Sequence, residues 1–181
     1  MVFMKHVASC IVLTAVGADR PGLVNEISSV VHRAGANLED AKMAILGGEF
    51  ALLMLITGDP SSLETIEQSS AELENRLGLK VVTKRTERGH PHAGYLPYTL
   101  KVTGFDRPGI VHQVSELLAR LDINVRMLES RVSFAPLSGT PMFILDAELQ
   151  VPSAASLKQL RHGLEVTCEE VDLDFSLKAT G

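Results

Sequence analysis

The sequence has no tryptophan, few other aromatic residues and no long apolar run. Aromatic residues make up 4% of the 181 residues, whereas hydrophobic residues make up 45%, so we expect a core of aliphatic side chains. No apolar stretch reaches the roughly 20 residues that a transmembrane helix needs, which argues against a membrane protein. The first residues lead into a strand pattern without a signal or transit peptide, which predicts a cytoplasmic protein.

Positive charge is also scarce. The formal net charge is −5, whereas nucleic-acid-binding proteins neutralise phosphates with clustered lysine and arginine. Basic residues cluster only at Lys80, Lys84, Arg85 and Arg88, and Glu87 lies among them. That mixture is typical of a solvated strand end. The composition therefore argues against direct binding of nucleic acid.

Nucleophilic and metal-binding residues are few. Cys10 and Cys168 each fall in an apolar, strand-like pattern without CxxC spacing, which indicates buried thiols. His90 and His92 lie in an irregular stretch that offers no third or fourth ligand, as a zinc site requires. We therefore expect no metal, no cofactor and no catalytic group.

An internal repeat organises the chain. The segments Gly-Ala-Asp-Arg-Pro-Gly-Leu-Val at 17–24 and Gly-Phe-Asp-Arg-Pro-Gly-Ile-Val at 104–111 lie 87 positions apart. The same offset relates Asn37 to Asn124. Two copies of one unit indicate two domains. We expect them at residues 1–87 and 98–181, joined by a linker at 88–97.

The pattern within each copy predicts the element order βαββαβ. In the first copy an aliphatic stripe of helical period follows Pro21, the expected first helical residue, and stops before Gly35. A second helix is expected from Pro60 to Leu77, capped by Asp59, and the last strand of the second copy at 166–177. This order predicts an α+β fold, an antiparallel sheet with the helices on one face.

The pattern of one predicted strand indicates an interface. Residues 50–56 are apolar at consecutive positions, whereas a sheet with one face in water should alternate apolar and polar residues. We therefore expect the second face of this strand to be covered by the other repeat or by a second copy of the chain, which favours a homo-oligomer, a dimer in the simplest case.

The repeated turns combine groups that suit an α-amino acid. Each turn leads into a helix whose first N–H groups have no partner within the helix and favour an anion. Gly22 and Gly109 would let a carboxylate approach the backbone, and Asp19 and Asp106 would pair with an ammonium group. The remaining candidate ligand-binding residues are the first apolar helical residues, the two arginines and the asparagines of the second strands: Leu23, Ile110, Arg20, Arg107, Asn37 and Asn124.

A purely structural interpretation stays open at these turns. Asp before Pro-Gly is an ordinary turn and capping sequence, and one copy can be functional while the other is structural. Ala18 in the first copy corresponds to Phe105 in the second, so the two pockets would differ in room. The arginines, which a cap does not need, favour the ligand interpretation.

The Asp-Arg-Pro-Gly-Leu/Ile-Val turns, the βαββαβ order and the asparagines at the second strands resemble ACT domains, which are regulatory amino-acid-binding modules. The resemblance implies a ferredoxin-like fold, sheets that pair side by side or face to face, and no catalysis. A chain of two such modules and nothing else resembles the transcriptional regulators of this family. That implies control of transcription through a DNA-binding activator protein, with glycine as the ligand.

Two other functions stay open. The chain could be the regulatory subunit of an amino-acid biosynthetic enzyme. It could also be a hydrolase resembling acylphosphatases, which use an arginine and an asparagine near the first turn, as Arg20 and Asn37 would allow. Pro21 argues against the hydrolase because it removes one backbone donor from the turn.

Overall fold

The structure is a computed structural model that describes residues 9–87, 94–134 and 138–180. The chain divides into two compact units, Met1–His90 and Pro91–Gly181. The first strand of the second unit begins at Tyr95, so residues 95–97, which were expected in the linker, belong to that strand. His90 and His92, which the sequence analysis considered as metal ligands, lie outside the described residues.

The first unit has the predicted βαββαβ order, with its second helix in two pieces. Its sheet has the strand order β2-β3-β1-β4, and β1 is antiparallel to both of its neighbours. The elements are β1 (Ser9–Ala18), α1 (Leu23–Arg33), β2 (Asn37–Leu46), β3 (Glu49–Gly58), α2 (Pro60–Gln68), α3 (Ser70–Leu77) and β4 (Lys80–Thr86).

The second unit repeats this topology. Its sheet has the order β6-β7-β5-β8, again with antiparallel neighbours. The elements are β5 (Tyr95–Phe105), α4 (Ile110–Arg120), β6 (Asn124–Phe134), β7 (Pro141–Pro152), α5 (Leu157–Glu169) and β8 (Leu173–Ala179). Two antiparallel sheets with helices are the predicted α+β fold, two ferredoxin-like units.

Each unit has its own aliphatic core between one face of the sheet and the helices. In the first unit Leu13 from β1 and Met54 from β3 are buried in one cluster with Ile27 from α1 and Ile66 from α2. The second unit has a separate cluster, in which Leu100 and Leu145 of the sheet pack with residues of α4 and α5. Among the described helices none is long and apolar enough to cross a membrane.

The helix expected from Pro60 to Leu77 is interrupted at Ser69. Asp59 caps its start as predicted, and its carboxylate accepts hydrogen bonds from the hydroxyls of Ser61 and Ser62 and from their N–H groups. The hydroxyl hydrogen bonds are the main reason why the pKa of Asp59 is lowered. At the interruption the hydroxyl of Ser69 donates to the carbonyl of Thr65 at 2.7 Å. Serine hydroxyls that bond to the preceding turn compete with the helical pattern and bend helices.

The prediction of a strand over residues 166–177 was wrong in its first half. Helix α5 continues to Glu169, and β8 begins only at Leu173. The reason is the spacing of Leu160, Leu164 and Cys168, which places three buried side chains on one stripe of α5. Burial also raises the pKa of the Cys168 thiol to about 11, so that this cysteine is protonated at neutral pH.

The sheet faces turned away from the helices differ between the units. In the first unit this open face carries Leu53 and Val82, of which 46% and 64% is exposed. On the equivalent open face of the second unit, Asp146 occupies the position that corresponds to Leu53. It forms an ion pair with Arg131 at 3.0 Å. The apolar face predicted from residues 50–56 is therefore confined to the first unit, and a cover for it stays a prediction.

Candidate functional site

The two Asp-Arg-Pro-Gly turns, which we call the first corner (Asp19–Gly22) and the second corner (Asp106–Gly109), occupy equivalent places. Each joins the end of the central strand β1 or β5 to the helix that follows. The N–H of Asp19 donates to the carbonyl of Gly48 at 3.1 Å, and that of Asp106 to the carbonyl of Pro141 at 3.3 Å. Both corners therefore lie at the end of the sheet that carries the hairpin between the second and third strands.

The backbone of the two corners is nearly the same. Gly22 has φ 94° and Gly109 has φ 95°, both in the left-handed region, and each is the N-cap of its helix without a side-chain cap. Helix α1 therefore begins at Leu23, two residues later than predicted, and Pro21 lies in the turn. Glycine is required at both positions by the backbone itself, a reason separate from the approach of a ligand.

The start of α1 opens into a cleft. The N–H groups of Leu23, Val24 and Asn25 belong to the first turn, where no intrahelical acceptor exists, and the positive end of the helix dipole lies there. These residues, together with Gly22, line a cleft of about 470 Å³. The start of α1, whose first N–H groups have no acceptor within the helix, thus borders a space that is large enough for a small molecule.

The rest of the cleft supplies the other groups that a zwitterion needs. Asp19 and Arg20 line it beside the helix start, and Met43 of β2 and Phe50 of β3 provide apolar walls. Phe50 is buried and Met43 is half exposed. The cleft therefore brings together an ammonium acceptor, a cation, backbone donors and an apolar wall.

Arg20 of the first corner is held in place by Glu26 of α1, the helix that follows the corner. Its Nη1 donates to Oε1 of Glu26 at 2.7 Å and, less closely, to the carbonyl of Pro21 at 3.4 Å. The hydrogen bond from Arg20 holds the pKa of Glu26 below its usual value of 4.5. Among the described residues Arg20 has no other hydrogen-bond partner, so Nη2 and Nε remain without a protein acceptor there.

This ion pair predicts a pH dependence. Because the folded state lowers the pKa of Glu26, the pair contributes its stability above pH 4.5 and loses it as the pH falls through the lowered pKa. A carbon-detected NMR titration should place the Glu26 midpoint below 4.5, and the Arg20→Gln variant should return it upwards. Equal midpoints in the two proteins would contradict the pairing.

The second corner uses its arginine differently. Nη2 of Arg107 donates to Oδ2 of Asp172 at 3.1 Å, and Asp172 lies in the turn that precedes β8. Phe105, at the end of β5, is half exposed where the first unit has Ala18. Ile110 is buried beneath the corner, as Leu23 is in the first unit.

The expectation that the asparagines lie at the corners of their own units was wrong. Asn37 is opposite Thr57, at the far end of the sheet from the first corner. Asn124 is opposite Gln150, and its amide donates to that side chain at 2.7 Å. The reason is the topology: helices α1 and α4 return the chain to the other end of the sheet, so that the second strand starts there.

Four lining residues of the cleft were missed by the sequence analysis: Val24, Asn25, Met43 and Phe50. The helical period alone could have identified the first two, since they belong to the first turn of α1. Met43 and Phe50 approach the corner only because the hairpin between β2 and β3 packs beside it, which sequence spacing does not reveal.

Metal ligation finds no support in the described ranges, where no group of three or more His, Cys, Asp or Glu side chains could hold an ion.

The basic cluster expected near the end of β4 is partly neutralised. Arg85 forms a double hydrogen bond with Glu67 at 2.7 and 2.8 Å. The hydrogen bond from Arg85 lowers the pKa of Glu67.

Comparison with known proteins identifies the family. Family models described as ACT domain match residues 9–84 and residues 98–161. The chain therefore belongs to the ACT domain family, with two copies of the domain. It is 28% identical over 167 residues to the glycine cleavage system transcriptional repressor of Escherichia coli (strain K12), a match that covers 92% of this chain and 88% of that protein.

Two solved structures resemble the chain over nearly its whole length. One is described as an unknown protein from Galdieria sulphuraria, with a TM-score of 0.84 and 28% identity over 96% of this chain and 99% of that chain. The other is described as a candidate glycine cleavage system transcriptional repressor, with a TM-score of 0.71 and 29% identity over 96% and 98% of the two chains. The resemblance to ACT domains inferred from the corners is thus confirmed.

Proposed function

We propose that this protein is a non-enzymatic amino-acid sensor that regulates transcription through a protein partner, in the cytoplasm. The observation that carries the proposal is the cleft of about 470 Å³ at the start of α1. Its backbone donors and Arg20 suit a carboxylate, and Asp19 suits the ammonium group of the same molecule.

The regulatory part of the proposal is supported by kinship and by charge. The relative from Escherichia coli is named a transcriptional repressor of the glycine cleavage system, which also makes glycine the first ligand to test. The net charge of −5 is unfavourable for direct contact with DNA, so we assign the effect on transcription to a DNA-binding activator as partner.

The small size of glycine limits the affinity with which the protein can bind it. The best small ligands gain about 1.5 kcal/mol per non-hydrogen atom. For the five heavy atoms of glycine this gives about −7.5 kcal/mol, which corresponds to a Kd of a few micromolar. A sensor needs no more, because a coupling of about 1–3 kcal/mol between two sites changes an affinity by about 5- to 150-fold.

The hydrolase alternative loses its main support. It required Arg20 and Asn37 to converge, and within the first unit these residues lie at opposite ends of the sheet. The regulatory subunit of a biosynthetic enzyme differs from our proposal only in its partner. An enzyme recovered with the tagged protein from its own cells, in place of a transcription factor, would favour that alternative.

A thermal-shift screen of the twenty standard amino acids tests the proposal. A ligand that binds only the native state raises the unfolding midpoint according to its concentration and Kd. We expect one amino acid or a small related group, with glycine among the first tested, to raise the midpoint at millimolar concentration. No change with any of the twenty would contradict the proposed function.

We also propose that the protein forms a homodimer through the open face of the first unit. Leu53 lies in the middle of that face and is half exposed. Burying such aliphatic side chains yields about 25 cal/mol per Å². The Leu53→Lys variant should therefore elute as a monomer in size-exclusion chromatography with light scattering, whereas Glu148→Lys on the open face of the second unit should leave the dimer intact. A wild-type monomer would contradict this proposal.

A further inference from the structure

The two corners share a backbone but not the partner of their arginine. Arg20 pairs with Glu26, a residue of the helix that the first corner opens. Arg107 pairs with Asp172, a residue of the turn before β8. The change of partner is therefore a difference in the direction of the side chain, since the N-cap glycines of the two corners have almost equal dihedral angles.

Each unit also lacks the partner that the other unit uses. Gln113 occupies the place of Glu26, because both residues donate their backbone N–H to the carbonyl of the N-cap glycine, at 3.0 and 2.9 Å. Gly78 occupies the place of Asp172: both precede the last strand with a positive φ, 69° and 53°. The first unit therefore has no carboxylate at the position of Asp172, and the second has an uncharged glutamine at the position of Glu26.

The partner of Arg107 lies on the side of its corner away from the place that the cleft occupies in the first unit. The cleft of the first unit is bounded by Met43 of β2 and Phe50 of β3, so it lies on the β3 side of the central strand β1. Asp172 leads into β8, which adjoins the central strand β5 on the side opposite β7. Asp172 thus draws Arg107 away from the side on which Arg20 borders the cleft.

We propose that amino-acid binding is confined to the first corner, and that Glu26 and Asp172 determine this by setting the direction of the two arginines. The proposal rests on the proposed function, because it concerns which of two equivalent corners performs it. Glu26 and Asp172 are positioning residues in this scheme: each acts on the ligand through an arginine. The second corner keeps its turn as a structural element.

An NMR titration of the intact protein with an equimolar mixture of the twenty standard amino acids tests this inference. We expect the amide signals of Leu23, Val24 and Asn25 to shift, and those of Ile110 and Val111 to stay in place. Shifts at both corners would overturn the inference and leave the proposed function standing. If the signals shifted at neither corner, the inference and the proposed function would both be overturned.

Exchange of the partners provides the matched variants. The Gln113→Glu/Asp172→Gly variant should gain shifts at Ile110 and Val111 under the same titration, because Arg107 then has the partner that Arg20 has in the first unit. The reciprocal variant Glu26→Gln/Gly78→Asp should lose at least tenfold in affinity at the first corner. Aspartate is acceptable at position 78, since Asp172 adopts the same left-handed conformation. If neither exchange changes binding, the assignment of the positioning residues is wrong.

Discussion

Replacing Arg20 by glutamine should weaken amino-acid binding by about tenfold to a hundredfold, the loss that one charge-assisted hydrogen bond to a carboxylate accounts for. Arg20 borders the cleft, and its only described contacts, to Glu26 and to the carbonyl of Pro21, both use Nη1. Nη2 and Nε, which have no partner among the described residues, are the donors that we expect to bind the ligand carboxylate. Isothermal titration calorimetry with the amino acid that stabilises the protein most would measure the change.

The second corner offers the matched control. Arg107→Gln removes the same side chain from the same turn sequence, but from the corner whose arginine is engaged by Asp172. Its affinity should stay within about twofold of wild type, within the variation of surface substitutions. Equal losses in the two variants would show that Arg20 has no special role, and an unchanged affinity in Arg20→Gln would remove it from the site.

Replacing Gly104 by alanine should unfold or strongly destabilise the second unit. A Cβ at this position would lie 2.8 Å from the carbonyl oxygen of Asp172, which is backbone and cannot move aside like a side chain, and closer still to Cδ2 of Leu173. We expect a loss of about 3 kcal/mol, at the upper end of the usual cost of overpacking. For a domain of this size that is a fall in Tm of about 15 °C.

Gly17, the equivalent glycine of the first unit, provides a milder substitution for comparison. A Cβ at Gly17 would meet the flexible Cδ2 of Leu79 at 2.8 Å and the carbonyl of Gly78 at 3.1 Å, a milder overlap. Gly17→Ala should therefore lower Tm by less than Gly104→Ala, as measured by differential scanning calorimetry. If the two variants had the same Tm as wild type, the close packing of β1 and β5 against the turns that precede β4 and β8 would be contradicted.

The sequence predicts the fold well where one physical signal dominates. The apolar stripe from Leu23 to Val31 and the cap at Asp59 are both confirmed, because helical period and side-chain capping are local properties. The Gly47-Gly48 pair forms the hairpin between β2 and β3 with positive φ at both residues, a turn that glycine favours locally. Local chemistry therefore fixes the element order.

Predictions were wrong where a local pattern competed with packing. Residues 166–169 have the β-branched composition of a strand start, but Cys168 completes a buried helical stripe with Leu160 and Leu164. Ser69 interrupts a helix that the apolar period alone would continue. In each case the deciding contact is one that composition does not encode.

The candidate site was predictable only in part. The repeated corner identified Asp19, Arg20, Gly22 and Leu23, which all line the cleft. The sequence could not show the cleft's far wall, since Phe50 reaches it through the hairpin. Nor could it show the different partners of the two arginines, which depend on residues 6 and 65 positions away along the chain.

The most direct test of the proposed site is a crystal structure of the protein grown with the amino acid that raises its unfolding midpoint most. We predict that the ligand carboxylate lies within hydrogen-bonding distance of the backbone N–H groups at the start of α1, with its ammonium group beside Asp19. A ligand bound elsewhere, with the first corner filled by its own side chains, would contradict the account.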